Sequence, residues 1–84
     1  MNEQKTETPK LLDNFKPVNS SNIKAAAYDA ASGVCQVEFA NGVYQYEGLS
    51  ASDFADFEKT FQTKDSSGGF FHSKIKPLKF TKIK

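Results

Sequence analysis

Between Ile23 and Gly48 apolar and polar residues largely alternate, and beyond Gly48 the apolar spacing changes to three and four. Alternation puts every second side chain on one face of a strand, whereas the longer spacing builds one face of a helix. Residues 23–29, 34–40 and 43–48 therefore read as three strands. The turn over 30–33 ends in Gly33, which is free to take a positive φ. Cys35, Val37 and Phe39 alternate along the second strand. Asn41-Gly42 follows, and this dipeptide between two alternating runs is the strongest short-range hairpin signal. A two-residue Asn-Gly loop pairs Ala40 with Val43, which sets Phe39 opposite Tyr44 and Val37 opposite Tyr46, on the same face as Cys35. Gln36, Glu38, Gln45 and Glu47 take the other face.

A helix follows with a clear start. Ser50 stands at the N-cap, Asp53 three residues on, and Leu49 and Phe54 at the two positions of a hydrophobic staple. Phe54, Phe57 and Phe61 recur at i, i+3 and i+7 and make one apolar face. That face needs a cover, and the aromatic side of the sheet supplies it. The Ser/Gly-rich stretch 64–69 is expected to be a loop. Residues 70–76 form a short second helix with Phe71 and Ile75 on one side, stopped by Pro77, and 78–83 form a last strand. The expected fold is a small two-layer α+β domain. An antiparallel β-meander over about 23–48 packs under one main helix (about 51–62), a short second helix (about 70–76) and a C-terminal strand. This domain spans 18–84. Residues 1–17, polar and broken by Pro9 and Pro17, form a disordered N-terminal leader. Its Leu11, Leu12 and Phe15 either dock loosely on the domain or form a short linear motif for a protein partner.

Composition narrows the function. The 84 residues suffice for one domain, and eight Phe and three Tyr supply the efficient core that so short a chain needs. Cys35 is the single cysteine and His72 the single histidine, so neither a disulfide framework nor a structural zinc is expected. No apolar run reaches membrane-span length and the N-terminus lacks a signal-peptide pattern. The expectation is a cytoplasmic protein with no metal, no cofactor, no membrane attachment and no small-molecule substrate. Net charge is +1 and every cation is Lys. Without Arg, the bidentate reader of phosphate and guanine is missing.

The positive charge is uneven. Lys74, Lys76, Lys79, Lys82 and Lys84 cluster with no acid among them. They form a phosphate-contacting stripe or a solvated edge strand on which Lys discourages aggregation. Lys64 and the Ser66-Ser67-Gly68-Gly69 stretch add backbone amides and a charge at a helix start, where an anion can sit. His72 lies among these residues, but no nucleophile motif accompanies it, and a surface or capping role is the plainer one. Tyr44 and Tyr46 belong to the core by the register argument, with a base-stacking platform as the alternative. Cys35, facing inward, is expected to be an inert thiol.

Ser20-Ser21-Asn22-Ile23, Val37 and Phe39, Tyr44-Gln45-Tyr46, Gly48 and Gly69-Phe70-Phe71, in this order, resemble the KTSC domain over about Val18 to Phe80. That family is named for the C-terminus of some lysyl-tRNA synthetases and also stands alone in bacteria and phages. Its hallmark is a Tyr-x-Tyr pair, met here by Tyr44 and Tyr46. Phe70 and Phe71 belong to the same ordered set of matching residues, and with the two tyrosines they are read as core. The sequence departs from the family pattern at His72, where Asn is more frequent, at Pro77, where Gly or a basic residue is, and in using Lys for Arg near the end. The resemblance implies a non-catalytic binding module with weak, sequence-tolerant RNA binding through Lys64, the C-terminal lysines and His72. The alternative is a protein-interaction module, such as a phage-encoded modulator or inhibitor of a host protein.

Overall fold

The computed structural model describes residues 11–63 and 66–84. Among these, β1 (Lys16–Pro17), β2 (Ile23–Asp29), β3 (Val34–Phe39), β4 (Gly42–Glu47) and β5 (Phe80–Lys82) form one antiparallel sheet in that spatial order. Between β4 and β5 the chain forms α1 (Ala51–Lys59), α2 (Ser66–Phe70) and a π-helical segment, Phe71–Ile75. The helices lie on one face of the sheet, which is the expected two-layer α+β arrangement. Ala26, Cys35, Val37 and Tyr46 come from the sheet and Phe54, Phe57, Phe61 and Ile75 from the opposite layer to form one core.

Local chemistry explains the main elements. Gly33 turns the β2–β3 corner at φ 71°, and its N–H donates to the Asp29 carbonyl at 2.8 Å. The Ser50 hydroxyl accepts from the Asp53 N–H at 3.1 Å, which satisfies one of the free donors at the start of α1. Helical geometry ends at Lys59, short of the expected 62, but Phe61 in the following turn still reaches the core.

The hairpin is shifted from the expected register. Phe39 pairs with Gly42, Val37 with Tyr44 and Cys35 with Tyr46, so the loop residues are Ala40 and Asn41. The shift moves each partner by two positions, and a shift of two returns every side chain to its original face. The aromatic and polar faces are therefore as expected although the pairs differ. Gly42 has a reason to be glycine besides the turn. Its φ is 143°, and a Cβ there would stand 2.2 Å from the Lys84 carbonyl oxygen. The chain beyond β5 lies against this corner, where the Val43 N–H donates to the Lys84 carbonyl and the Ile83 N–H to the Val43 carbonyl.

Two further expectations are corrected. Ser66–Phe70 is helical, so the second helix begins four residues before position 70, and the expected 64–69 loop is reduced. Ser67 is fully buried, and its hydroxyl is 2.7 Å from that of Thr60 at the C-terminus of α1. This contact joins the two helices and holds Ser67 in place despite Gly68 and Gly69. The second correction concerns the leader. Residues 1–10 of it lie outside the described residues, but Lys16–Pro17 form an edge strand on β2. Lys16 also makes an ion pair with Glu58 of α1. Upstream, the Leu12 N–H donates to Gln36 Oε1 at 2.8 Å, and Asn14 Nδ2 donates to the Tyr28 carbonyl at 2.9 Å. Gln36, assigned to the polar face, is in consequence fully buried, and it also donates to Gln45.

Candidate nucleic-acid interface

On the helix-side face, the β3–β4–β5 end of the sheet holds a closed circuit of five aromatic rings. Phe39 meets Tyr44 at 5.7 Å between centroids, and Tyr44 meets Phe80 at 6.0 Å. Phe80 meets Tyr46 at 5.9 Å, Tyr46 meets Phe71 at 5.2 Å, and Phe71 returns to Phe39 at 5.2 Å. The register builds this circuit. Tyr46 pairs directly with Phe80, and Tyr44 with Lys82, so both partners of β5 share the tyrosine face. Most contacts are edge-on or tilted, the arrangement the ring quadrupole favours.

The members differ in exposure. Tyr46 is 6% exposed and Phe80 is 57% exposed, so the circuit grades from core to surface. Tyr44, Phe39 and Phe71 lie between these limits and pack against the core. The two tyrosines therefore differ in setting. Tyr46 is core, while Tyr44 stands at the rim under the Lys82 ammonium, 5.9 Å from the ring centroid. Phe70, grouped with them by sequence, faces away and stacks on Phe57 at 5.4 Å.

Burial controls the titration of the core groups. The Cys35 thiol is pushed up from 9.0 to about 12 by burial. The Tyr46 hydroxyl rises from 10.0 to about 12, by burial first and then by the charges of Tyr44 and Cys35. Both groups are neutral in the fold but ionise earlier in the unfolded chain. Their contribution to stability is full below about pH 9 and is lost progressively as the pH rises toward 12. Urea unfolding midpoints should accordingly fall through this window. Cys35 should stay silent to a thiol reagent until urea unfolds the chain, and rapid labelling of the native protein would contradict its placement.

Lys74, Lys76, Lys79, Lys82 and Lys84 are all exposed on the π-helical segment, the following loop and β5. Among the described residues the ion pairs are Lys16–Glu58 and Lys59–Asp56, so none of these five lysines is paired there, and Lys82 shares the sheet face of the exposed Phe80. Lys64 lies outside the described residues. His72 is exposed, on the rim of a groove of about 450 Å³ between the π-helical segment and the β3–β4 corner. Asn22, Asn41 and Lys76 share that rim, and Ile23, Phe39 and Phe71 form its apolar wall. Sequence reasoning missed Phe39, Phe80 and Asn41 as site residues. Phe80 could have been found by pairing β5 with β4, since that register sets it opposite Tyr46.

Fold and surface together define a small α+β domain whose central hairpin presents a Tyr-x-Tyr pair to a helical layer. The chain belongs to the KTSC domain family, whose model matches residues 19–80. The crystal structure of a KTSC domain protein from Yersinia pestis is similar, with a TM-score of 0.75 and 30% sequence identity over 84% of this chain and 97% of that one. No curated protein matches the sequence. Among the described residues, no helix is long and apolar enough to cross a membrane.

Proposed function

We propose that this KTSC domain is a non-catalytic cytoplasmic module that binds single-stranded nucleic acid, RNA in the first place, across the β4–β5 edge. The observation that carries the reading is Phe80. A phenylalanine exposed by more than half packs on Tyr44 and Tyr46 and shares its sheet face with Lys82, which has no ion-pair partner among the described residues. Unpaired bases stack on such rings and phosphates meet the ammonium groups, with little preference for sequence. The polar face, with Glu38 and Glu47, repels phosphate and leaves the helix-side edge as the approach.

Fluorescence anisotropy of a labelled oligouridine tests the proposal. If all five lysines meet phosphates, log K against log salt falls with a slope of roughly −3 to −4. Phe80→Ala removes a stacking partner and should cost about 1–3 kcal/mol in affinity, while stability changes little because the ring is exposed. Binding that ignores salt, or an unchanged Phe80→Ala variant, would overturn the reading. In that case the same exposed ring serves a protein partner, which a salt-tolerant pull-down lost on Phe80→Ala would reveal.

A further inference from the structure

The groove beside Phe39 and Phe71 differs in character from the open Phe80 edge. Its volume of about 450 Å³ lies within the range of about 300–1,000 Å³ typical of small-ligand sites. Ile23 and the two rings, 5.2 Å apart between centroids, give it an apolar wall. Its rim offers two carboxamides, Asn22 and Asn41, an imidazole, His72, and one ammonium, Lys76. Among the described residues these four side chains make no hydrogen bond or ion pair, so their donors and acceptors are available. Gly68 completes the lining, and a Cβ added there would meet no atom within 4 Å.

Each part selects the same kind of ligand. An apolar wall with aromatic rings suits a flat face, and carboxamides with an imidazole suit a ring edge that both donates and accepts. A single ammonium at one end suits one anionic group on that ligand. We infer that the groove takes one nucleotide unit. Its base lies against Phe39 and Phe71, its edge meets Asn22, Asn41 and His72, and its phosphate meets Lys76. The inference rests on the nucleic-acid reading for its class of ligand and adds a pocket that the Phe80 edge does not require. A free mononucleotide and one residue of a strand share this chemistry.

Gly68→Leu is the decisive variant. Its new side chain starts in open space within the groove lining, and leucine favours a helix more than glycine does. Adenosine monophosphate, uridine monophosphate and a short oligouridine are titrated separately into the full chain, Gly68→Leu, Phe80→Ala and the surface double variant Asn41→Ala/His72→Ala. The mononucleotides should shift the amides of Asn22, Asn41, Gly68 and His72. Gly68→Leu and the double variant should weaken them by about tenfold or more, while Phe80→Ala stays within about twofold. A strand weakened by Gly68→Leu without any response to mononucleotides supports the groove with a strand residue as its source. A folded Gly68→Leu that binds both ligands like the parent, or mononucleotide shifts away from the groove, overturns the inference. Strand binding that survives Gly68→Leu with its salt slope intact, together with no mononucleotide binding in the groove of the parent, removes the groove alone. Mononucleotide binding in the groove without salt-dependent strand binding removes the Phe80 edge alone.

Discussion

Tyr46→Ala is expected to lose about 3–5 kcal/mol of folding stability, the cost of truncating a large buried aromatic. Tyr46 is nearly sealed from solvent and holds the circuit together through Phe71 on the helical layer and Phe80 on β5. Its loss opens a cavity and also removes the support under Phe80. In a domain of this size each kcal/mol shifts Tm by about 4–8 °C, so thermal unfolding resolves the effect easily. Tyr46→Phe keeps the ring, and its hydroxyl has no hydrogen-bond partner among the described residues. That variant should stay within about 1 kcal/mol of the parent, because only a polar atom is removed. A Tyr46→Ala protein as stable as the parent would mean that the ring faces solvent and that the register is wrong.

Phe57→Ala should be as severe without touching the proposed interface. Phe57 is fully buried and meets Phe61 at 4.9 Å, Phe70 at 5.4 Å and Phe54 at 6.0 Å. Its stack on Phe70, the last residue of α2, joins α1 to the second helix. A loss of about 3–5 kcal/mol is expected. A domain of this length has about 4–13 kcal/mol in total at typical values per residue. Phe57→Ala should therefore remove a large share of the stability, whereas Phe57→Leu, which retains most of the volume, should cost far less. Urea denaturation followed by circular dichroism measures both. A Phe57→Ala loss below about 1 kcal/mol would contradict the packing of the two helices on each other.

The sequence made the strands and the first helix legible because their signals are local. Alternation placed Cys35, Val37, Tyr44 and Tyr46 on one face, and that assignment survives a hairpin loop that falls one residue earlier than the Asn41-Gly42 signal suggested. The need for glycine at position 42 is also not local: the Lys84 carbonyl occupies the space that a side chain there would need, and no turn preference encodes that contact. Gly68 and Gly69 read as a loop because glycine is a poor helix former. The helix there is held by tertiary contacts, the buried Ser67 beside Thr60 and Phe70 on Phe57. Likewise the burial of Gln36 depends on Leu12, twenty-four positions away. The lysine cluster was visible as charge, but its meaning changed once β5 set Phe80 and Lys82 beside Tyr44 and Tyr46. The groove was not visible at all, since its rim is gathered from Asn22, Asn41 and His72 on three separate elements or their flanks.

The most direct test of the nucleic-acid surface is an amide-resolved NMR titration with single-stranded RNA, first at low and then at physiological salt. The account predicts shifts at Tyr44, Tyr46, Phe71 and Lys74 through Lys84, joined by Asn22, Asn41 and Gly68 where a strand residue fills the groove, all weakening as salt rises, with Glu38, Glu47 and the Leu12–Gln36 side of the sheet unmoved. No shifts at low salt, or shifts centred on that opposite face, would contradict it.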